Sequence, residues 1–262
     1  MSTPSIFQEA YYQRLYDIEE THWWAQGLHS IMMTLLSAYL QWDSPLDILD
    51  VGCGTGYLLD VFKGVSPQSN VVGIDVSEHA LHFCLQRGQT RIAIADAAQL
   101  PYRNAAFDVV VCIDTLQHLT PKGAPVQAMN DFARLLRPGG WLFLRTNSAL
   151  GHPPLRGVDP DLYRRFHRRE LCDMVNAAGL RVERSSYVNT LPALWGMVKE
   201  YRSSQKVETP ALGPALSIQP YPHPTPTSRL LHGLMKTEGA LIRTGVTLGF
   251  GHSIVVLAQK PG

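Results

Sequence analysis

No stretch of this chain is apolar enough to cross a bilayer as a helix. The longest run, IMMTLLSAYL at residues 31–40, falls short of the roughly 18 residues a span requires. An excess of one charge is missing too. The 23 Lys and Arg against 22 Asp and Glu leave a formal net charge of +1, so no global field recruits nucleic acid or an anionic membrane surface. Cysteine is sparse: Cys53, Cys84, Cys112 and Cys172 form no CxxC pair, which argues against a disulfide framework or a zinc knot and for a reducing compartment. The N-terminal stretch MSTPSIFQEAYYQRLYDIEE lacks the basic-then-apolar layout of a signal peptide. A cytoplasmic location is therefore expected, with neither nucleic acid nor membrane as a partner and no metal site.

What the chain does have is core. At 262 residues and 45% hydrophobic content it has enough apolar side chains for a substantial interior, in one large domain or two small ones. Between residues 46 and 147 short apolar runs (DILDV, VVGID, RIAIAD, FDVVVCI, WLFLRT) alternate with helical patterns, the spacing of a parallel sheet covered by helices on both faces. One helix is expected to bury Val126, Met129, Ala133 and Leu136 and to stop at RPGG. The next, HRRELCDMVNAAG, places Leu171, Met174, Val175 and Ala178 on one side and ends at Gly179 as a C-cap. LRVERSSYV and HSIVVLAQK read as two closing strands. Residues 1–40 read as two aromatic-rich helices, containing Tyr11, Tyr12, Trp23 and Trp24, that would cap the core. Residues 203–228 are proline-dense and are either a connector or a lid over a pocket.

The stretch LDILDVGCGTGYLLD, residues 46–60, sets Gly52, Gly54 and Gly56 at alternate positions directly after a strand that carries Asp50. Glycines between a strand and a helix let backbone N–H groups approach a nucleotide-like ligand. A dinucleotide fingerprint requires a small residue where Tyr57 stands, and no Gly-Lys-Ser/Thr follows the turn, so neither NAD nor a P-loop nucleotide suits it. The acid-x-Gly-x-Gly-x-Gly pattern resembles the first motif of class I S-adenosylmethionine-dependent methyltransferases. VVGIDVS, AIADAAQLPY, FDVVVCIDTLQHL and ARLLRPGGWLFL follow in that family's order and spacing. EETHWWAQGLH, YRRFHRRELCDMVNAAGL and GFGHSIVVLAQK resemble a bacterial small-molecule branch that begins with a His-Trp-Trp segment. The resemblance implies one α/β domain: a Rossmann-like, doubly wound, seven-stranded sheet whose last strand is antiparallel, with a helical N-terminal cap. Residues 1–40 would form the cap, 46–190 and 250–260 the core, and 191–249 a substrate-side lid and helix.

For the cofactor S-adenosylmethionine, the resemblance implies that Gly52, Gly54 and Gly56 line the methionine end and that Asp50 fixes its amino group. Asp75, with Val76, would take the ribose hydroxyls, Asp96 and Ala97 the adenine, and Ile113 would lie beside the ligand. Each acid also has a plain alternative: Asp50 as a turn cap, Asp75 as the charge before a helix opened by Ser77, and Asp96 as an exposed loop acid. IDTL stands where amide- and adenine-methylating enzymes carry Asn/Asp-Pro-Pro-Tyr, and there is no Pro-Cys dipeptide for C5-pyrimidine chemistry, which leaves a small-molecule acceptor, including secondary metabolites. His118 is the candidate general base, or else a histidine packed under the next helix. His22, Trp23 and Trp24 are candidates to line the acceptor pocket, or equally to pack the cap. Arg145 and His152, with the Arg164, Arg165, Arg168 and Arg169 cluster, either meet an anionic group of the acceptor or are ordinary surface charge. The chain is expected to act as a monomer or homodimer. A fold relative that catalyses a cyclisation or elimination, or a non-catalytic binding protein, remains an alternative.

Overall fold

The computed structural model describes residues 8–120, 123–150, 163–190, 193–194 and 225–262. Helices α1 (Glu9–Glu19) and α2 (Trp23–Leu36) precede β1 (Asp47–Val51), α3 (Tyr57–Val65), β2 (Asn70–Asp75), α4 (Glu78–Gln86), β3 (Ile92–Ile94) and β4 (Phe107–Ile113). After a 3-10 turn at Leu116–His118 come α5 (Ala124–Leu135), β5 (Leu136–Asn147), α6 (Arg168–Ala177), β6 (Arg181–Val188), α7 (Pro226–Arg243) and β7 (Ser253–Gln259). The strands form one sheet in the order β3-β2-β1-β4-β5-β7-β6, with β7 antiparallel to both its neighbours. This is the expected seven-stranded Rossmann-like sheet with an antiparallel last strand. No helix among the described residues is long and apolar enough to cross a membrane.

The strands read as continuous apolar runs because both faces of the sheet are covered. Period-two alternation sends Leu49, Val51, Val110, Cys112, Leu142, Leu144 and Val256 to the face packed by α5 and α6. Ile48, Val109, Val111, Phe143, Val255 and Leu257 go to the opposite face, under α2, α3 and α7. On that face α2 and α7 approach closely at Gly27 and Gly239, where an added Cβ would lie 2.9 Å from Met235 Cβ and 3.2 Å from Ile31 Cα respectively.

Two local expectations are corrected. Helix α5 buries Pro125, Ala128, Met129, Phe132, Ala133 and Leu135, while Val126 is exposed, because the helix begins at Ala124 and turns that residue outward. Leu136 belongs to β5 and not to the helix: it pairs with Phe107, and the strand is irregular through Arg137–Gly140 before regular pairing resumes at Trp141. The C-cap expectation holds, since Gly179 has φ 83° just after α6.

Gly251, at the entry to β7, faces the Val188 carbonyl so closely that a Cβ there would press on backbone. Gly251→Ala is expected to lower stability by about 1–3 kcal/mol through overpacking, read as a lower denaturant midpoint at unchanged m-value.

Candidate active site

β1 and β4 are neighbours in the sheet, yet β1 leads outward to β2 and β4 outward to β5, so a crevice opens beyond their carboxyl ends. A cavity of about 380 Å³ occupies it. Its floor is the glycine turn after β1. There Gly52 and Cys53 donate N–H bonds of 2.8 Å to the Ile74 carbonyl, which ties the turn to β2. Gly52 has φ 75°, and a Cβ on it would collide with the Thr115 side chain at the end of β4, so only glycine satisfies both the turn and the contact.

Glu19, Asp50, Asp75, Asp96 and Asp114 all line this crevice, and Asp50 and Asp75 stand at its glycine turn. Asp50 is 1% exposed, and its Oδ2 has no hydrogen-bond partner among the described residues. Burial, aided by the negative charge of Asp75, pushes its pKa up to about 7. Asp75 accepts from Gly54 N (3.0 Å), Ser77 N (2.9 Å) and Tyr12 Oη (3.3 Å). Burial nonetheless raises its pKa.

Helix α1 roofs this end, with Tyr11, Tyr12, Leu15 and Glu19 lining the cavity. Its C-terminal end is latched by a buried ion pair. Glu19 accepts from Thr55 Oγ1 and, at 2.9 Å, from Arg87 Nη2, while the Arg87 guanidinium stacks 4.2 Å from the Tyr16 ring and also meets Glu20. Burial pushes the Glu19 carboxyl up, and the Arg87 guanidinium beside it pulls it back toward the ionised form.

The other end lies over β4 and β5. Asp114, at φ 52°, takes a bidentate grip from Arg145, with Nε to Oδ1 at 3.2 Å and Nη2 to Oδ2 at 2.6 Å. The Asp114 N–H also donates to the Arg145 carbonyl at 2.9 Å. Arg145 is 5% exposed and its guanidinium carbon stands 5.9 Å from the Trp24 ring centroid. His29, Asn147, Tyr163 and His118 complete the wall. Burial and the nearby Arg145 charge lower the His29 pKa to about 3, so its imidazole is neutral.

Of the residues singled out from sequence, Asp50, Gly52, Gly54, Asp75, Val76, Asp96, Ala97, Ile113, His118, Trp24 and Arg145 line this one cavity. Asp96 is exposed and its Oδ1 accepts from Ala98 N at 2.8 Å, shaping the loop after β3. Gly56 does not line the cavity: with φ 81° it starts α3, and a Cβ there would lie 2.9 Å from Cys84 Sγ. His22 does not line it either, because its Nδ1 accepts from Trp24 N at 3.3 Å as the N-cap of α2. Trp23 packs against the aliphatic core under α2. The arginine cluster is engaged elsewhere: Arg164 pairs with Glu170, Arg168 with Ser185 Oγ at 2.8 Å, and Arg169 is exposed near Asp173. Arg165 is the exception: it does not line the cavity itself but hydrogen-bonds the wall residue Tyr163. His152 and Tyr221 fall outside the described residues. Sequence reasoning did not single out His29, Tyr57, Asn147 and Tyr163 for the site. The available signal was helical: His29 follows the lining residue Ala25 by one turn of α2.

Residues 49–144 match the model of a family described as a methyltransferase domain. The ubiquinone biosynthesis O-methyltransferase of Leptothrix cholodnii is 35% identical over 139 residues, which is 47% of this chain and 57% of that protein. The tRNA (carboxymethyluridine(34)-5-O)-methyltransferase of Arabidopsis thaliana is 31% identical over 55% of this chain and 34% of its own length. The chain therefore spans between about a third and somewhat over half of these two relatives. Phosphoethanolamine N-methyltransferase 2 of Haemonchus contortus, solved with S-adenosyl-L-methionine, superposes with a TM-score of 0.61 at 18% identity, over 99% of this chain and 59% of that one. A likeness at that identity shows a shared fold.

Arg87→Met leaves Glu19 buried without its cation. It is expected to cost about 3 kcal/mol of stability and to speed protease cleavage within α1, measured by denaturation and by mass spectrometry of the fragments.

Proposed function

We propose that the chain binds S-adenosylmethionine in this crevice and transfers its methyl group to a small-molecule acceptor. The observation that carries the reading is Asp50, a buried carboxylate with one oxygen unpartnered among the described residues, set beside a glycine turn. A buried anion of this kind calls for a cation, and the ammonium group of the donor's methionine part supplies one. In this reading Gly52 and Gly54 bring backbone close to the methionine part, and Asp75, joined by Val76, meets the ribose hydroxyls. Asp96 and Ala97 border the adenine, and Ile113 packs beside the ligand. When bound, the donor supplies a methyl group on a positively charged sulfur, and the carbon–sulfur electrons return to sulfur as the acceptor forms its new bond. The chain's own task is to orient the two reactants and exclude water, with α1 and Trp24 as the cover.

A small molecule is favoured over nucleic acid by the net charge of +1 and by the roofed position of the cavity. A cytoplasmic role in small-molecule metabolism, secondary metabolism included, follows from the same reading. His118 borders the cavity, with its Nε2 3.5 Å from Gln117 Nε2 and its ring 5.6 Å from that of Tyr163, and in this reading it is the general base at the acceptor end.

S-adenosylhomocysteine at about a hundred times its Kd is expected to raise the melting temperature by several degrees, whereas NAD and ATP leave it unchanged. A shift with NAD alone would overturn the reading.

The ionised form of Asp50 is the one that holds a cation, and its free-state pKa is about 7. S-adenosylhomocysteine affinity, measured by calorimetry, is therefore expected to fall by up to about tenfold per pH unit below 7 and to level off above it. Asp50→Asn should bind weakly and lose this pH dependence.

A further inference from the structure

We infer that Tyr12 and the donor's ribose compete for Asp75, so that the first half of α1 is a cover that must lift before the donor enters. The inference rests on the reading that Asp75 meets the ribose hydroxyls and adds to it an inhibitory contact made by the chain itself.

Asp75 is close to saturated. Its Oδ2 accepts from Gly54 N at 3.0 Å, its Oδ1 from Ser77 N at 2.9 Å and from Tyr12 Oη at 3.3 Å, and the Val76 N–H also bonds to the carboxylate. A carboxylate offers about four lone-pair positions, so these bonds leave at most one, whereas the adjacent hydroxyls of a ribose bring two donors. One of the present partners has to yield. The backbone donors are fixed: Gly54 sits in a turn that Gly52 and Cys53 tie to β2, and Ser77 opens α4. Tyr12 makes the longest of the three measured bonds, and it comes from a helix outside the sheet. Burial and the Asp75 charge raise the Tyr12 pKa, so the phenol stays protonated and stands in for a ribose hydroxyl, one O–H donor for another.

A second contact of the same helix covers the neighbouring part of the site. Leu15, three residues on from Tyr12 and so on the same face of α1, brings Cδ2 to 3.3 Å from the position of a Cβ on Gly54. It therefore lies over backbone that the reading gives to the methionine part. Tyr12 and Leu15 together press on both surfaces the donor needs.

The helix is held unequally along its length. Its buried residues are Tyr12, Ile18 and Glu19. The last two belong to the final turn, where Arg87 and Thr55 hold Glu19 and Tyr16 stacks on the same guanidinium. Tyr12 is the buried side chain of the first two turns, through its bond to Asp75 and its packing on Ala80 and Phe83. A swing about the latched end thus breaks one side-chain hydrogen bond and a small apolar contact, and it uncovers Asp75 and Gly54 together.

The test uses the full chain with S-adenosylhomocysteine and its 2′-deoxy and 3′-deoxy analogues, by calorimetry and by stopped-flow tryptophan fluorescence. Tyr12→Phe keeps the ring on Ala80 and Phe83 and removes the competing hydroxyl. It is expected to bind S-adenosylhomocysteine about threefold or more tighter than wild type, with the gain in the association rate and the dissociation rate unchanged within about twofold. At least one deoxy analogue should lose less than about threefold against S-adenosylhomocysteine in wild type, where Tyr12 fills the place of the missing hydroxyl, and about tenfold in Tyr12→Phe, where nothing does. Leu15→Ala uncovers Gly54 without touching Asp75, so it should also speed association while leaving the deoxy penalties as in wild type. Weaker or unchanged binding by Tyr12→Phe, a gain that sits in the dissociation rate, or equal deoxy penalties in the two proteins would each overturn the competition. Should Tyr12→Phe fail to fold, Leu15→Ala decides, and an unchanged association rate there overturns the cover. A wild-type chain that does not bind S-adenosylhomocysteine would instead overturn the methyl-transfer reading.

Discussion

Two acids in one crevice, Asp50 and Asp75, are the constraint around which the rest of the molecule is arranged. Each raises the cost of ionising the other, and neither has free access to water. The fold offsets part of that cost with backbone: the glycine turn points Gly54 N at Asp75, and the start of α4 adds Ser77 N. Asp50 receives less, and this imbalance makes the crevice over β1 and β2 a place for a cation. The glycines are needed because side chains there would collide with β4 and α4, not only because the turn is tight.

The roof is built from the N-terminal helices, which share no sheet strand with the site. α1 is held by a buried Glu19–Arg87 pair and by Tyr16 stacking on the same guanidinium, while α2 lies across the sheet and is braced from behind by α7. Tyr12 belongs to both systems: it packs with Ala80 and Phe83 of α4 and donates to Asp75. Occupancy of the crevice is therefore coupled to the seating of α1, since a ligand that competes for Asp75 acts directly on a contact of that helix.

The crevice is polarised along the sheet. Over β1 and β2 it is lined by Asp50 and Asp75; over β4 and β5 it ends in the Arg145 guanidinium, held by Asp114, and the neutral imidazole of His29. Arg145 is pinned through its side chain and its own carbonyl to Asp114, so its position is set by the pairing of Ile113 with Arg145 across the two strands. The left-handed backbone of Asp114 is part of the same device, turning the chain back so that one residue grips Arg145 twice.

Much of this was determined by sequence alone, and for local reasons. Apolar runs of strand length, the glycine turn after Asp50 and the acid closing VVGID are signals read within a few residues, and their order defined the sheet and the floor of the crevice. The helix register was less secure: Val126 and Leu136 fit an apolar period, but pairing of Leu136 with Phe107 drew it into β5. Tertiary structure decided which aromatic and basic residues meet. His22, Trp23 and Trp24 are adjacent in the chain, yet one caps a helix, one packs a core and one faces the cavity, because successive helical residues point about 100° apart and only the docked helix says which direction is inward. The arginine cluster was conspicuous in sequence, yet Arg164, Arg168 and Arg169 are engaged outside the crevice, while His29 was inconspicuous and lies in its wall. His29 and Arg145, more than a hundred positions apart, line one cavity, and nothing in a local pattern records a wall assembled only when α2 is laid across the ends of β4 and β5.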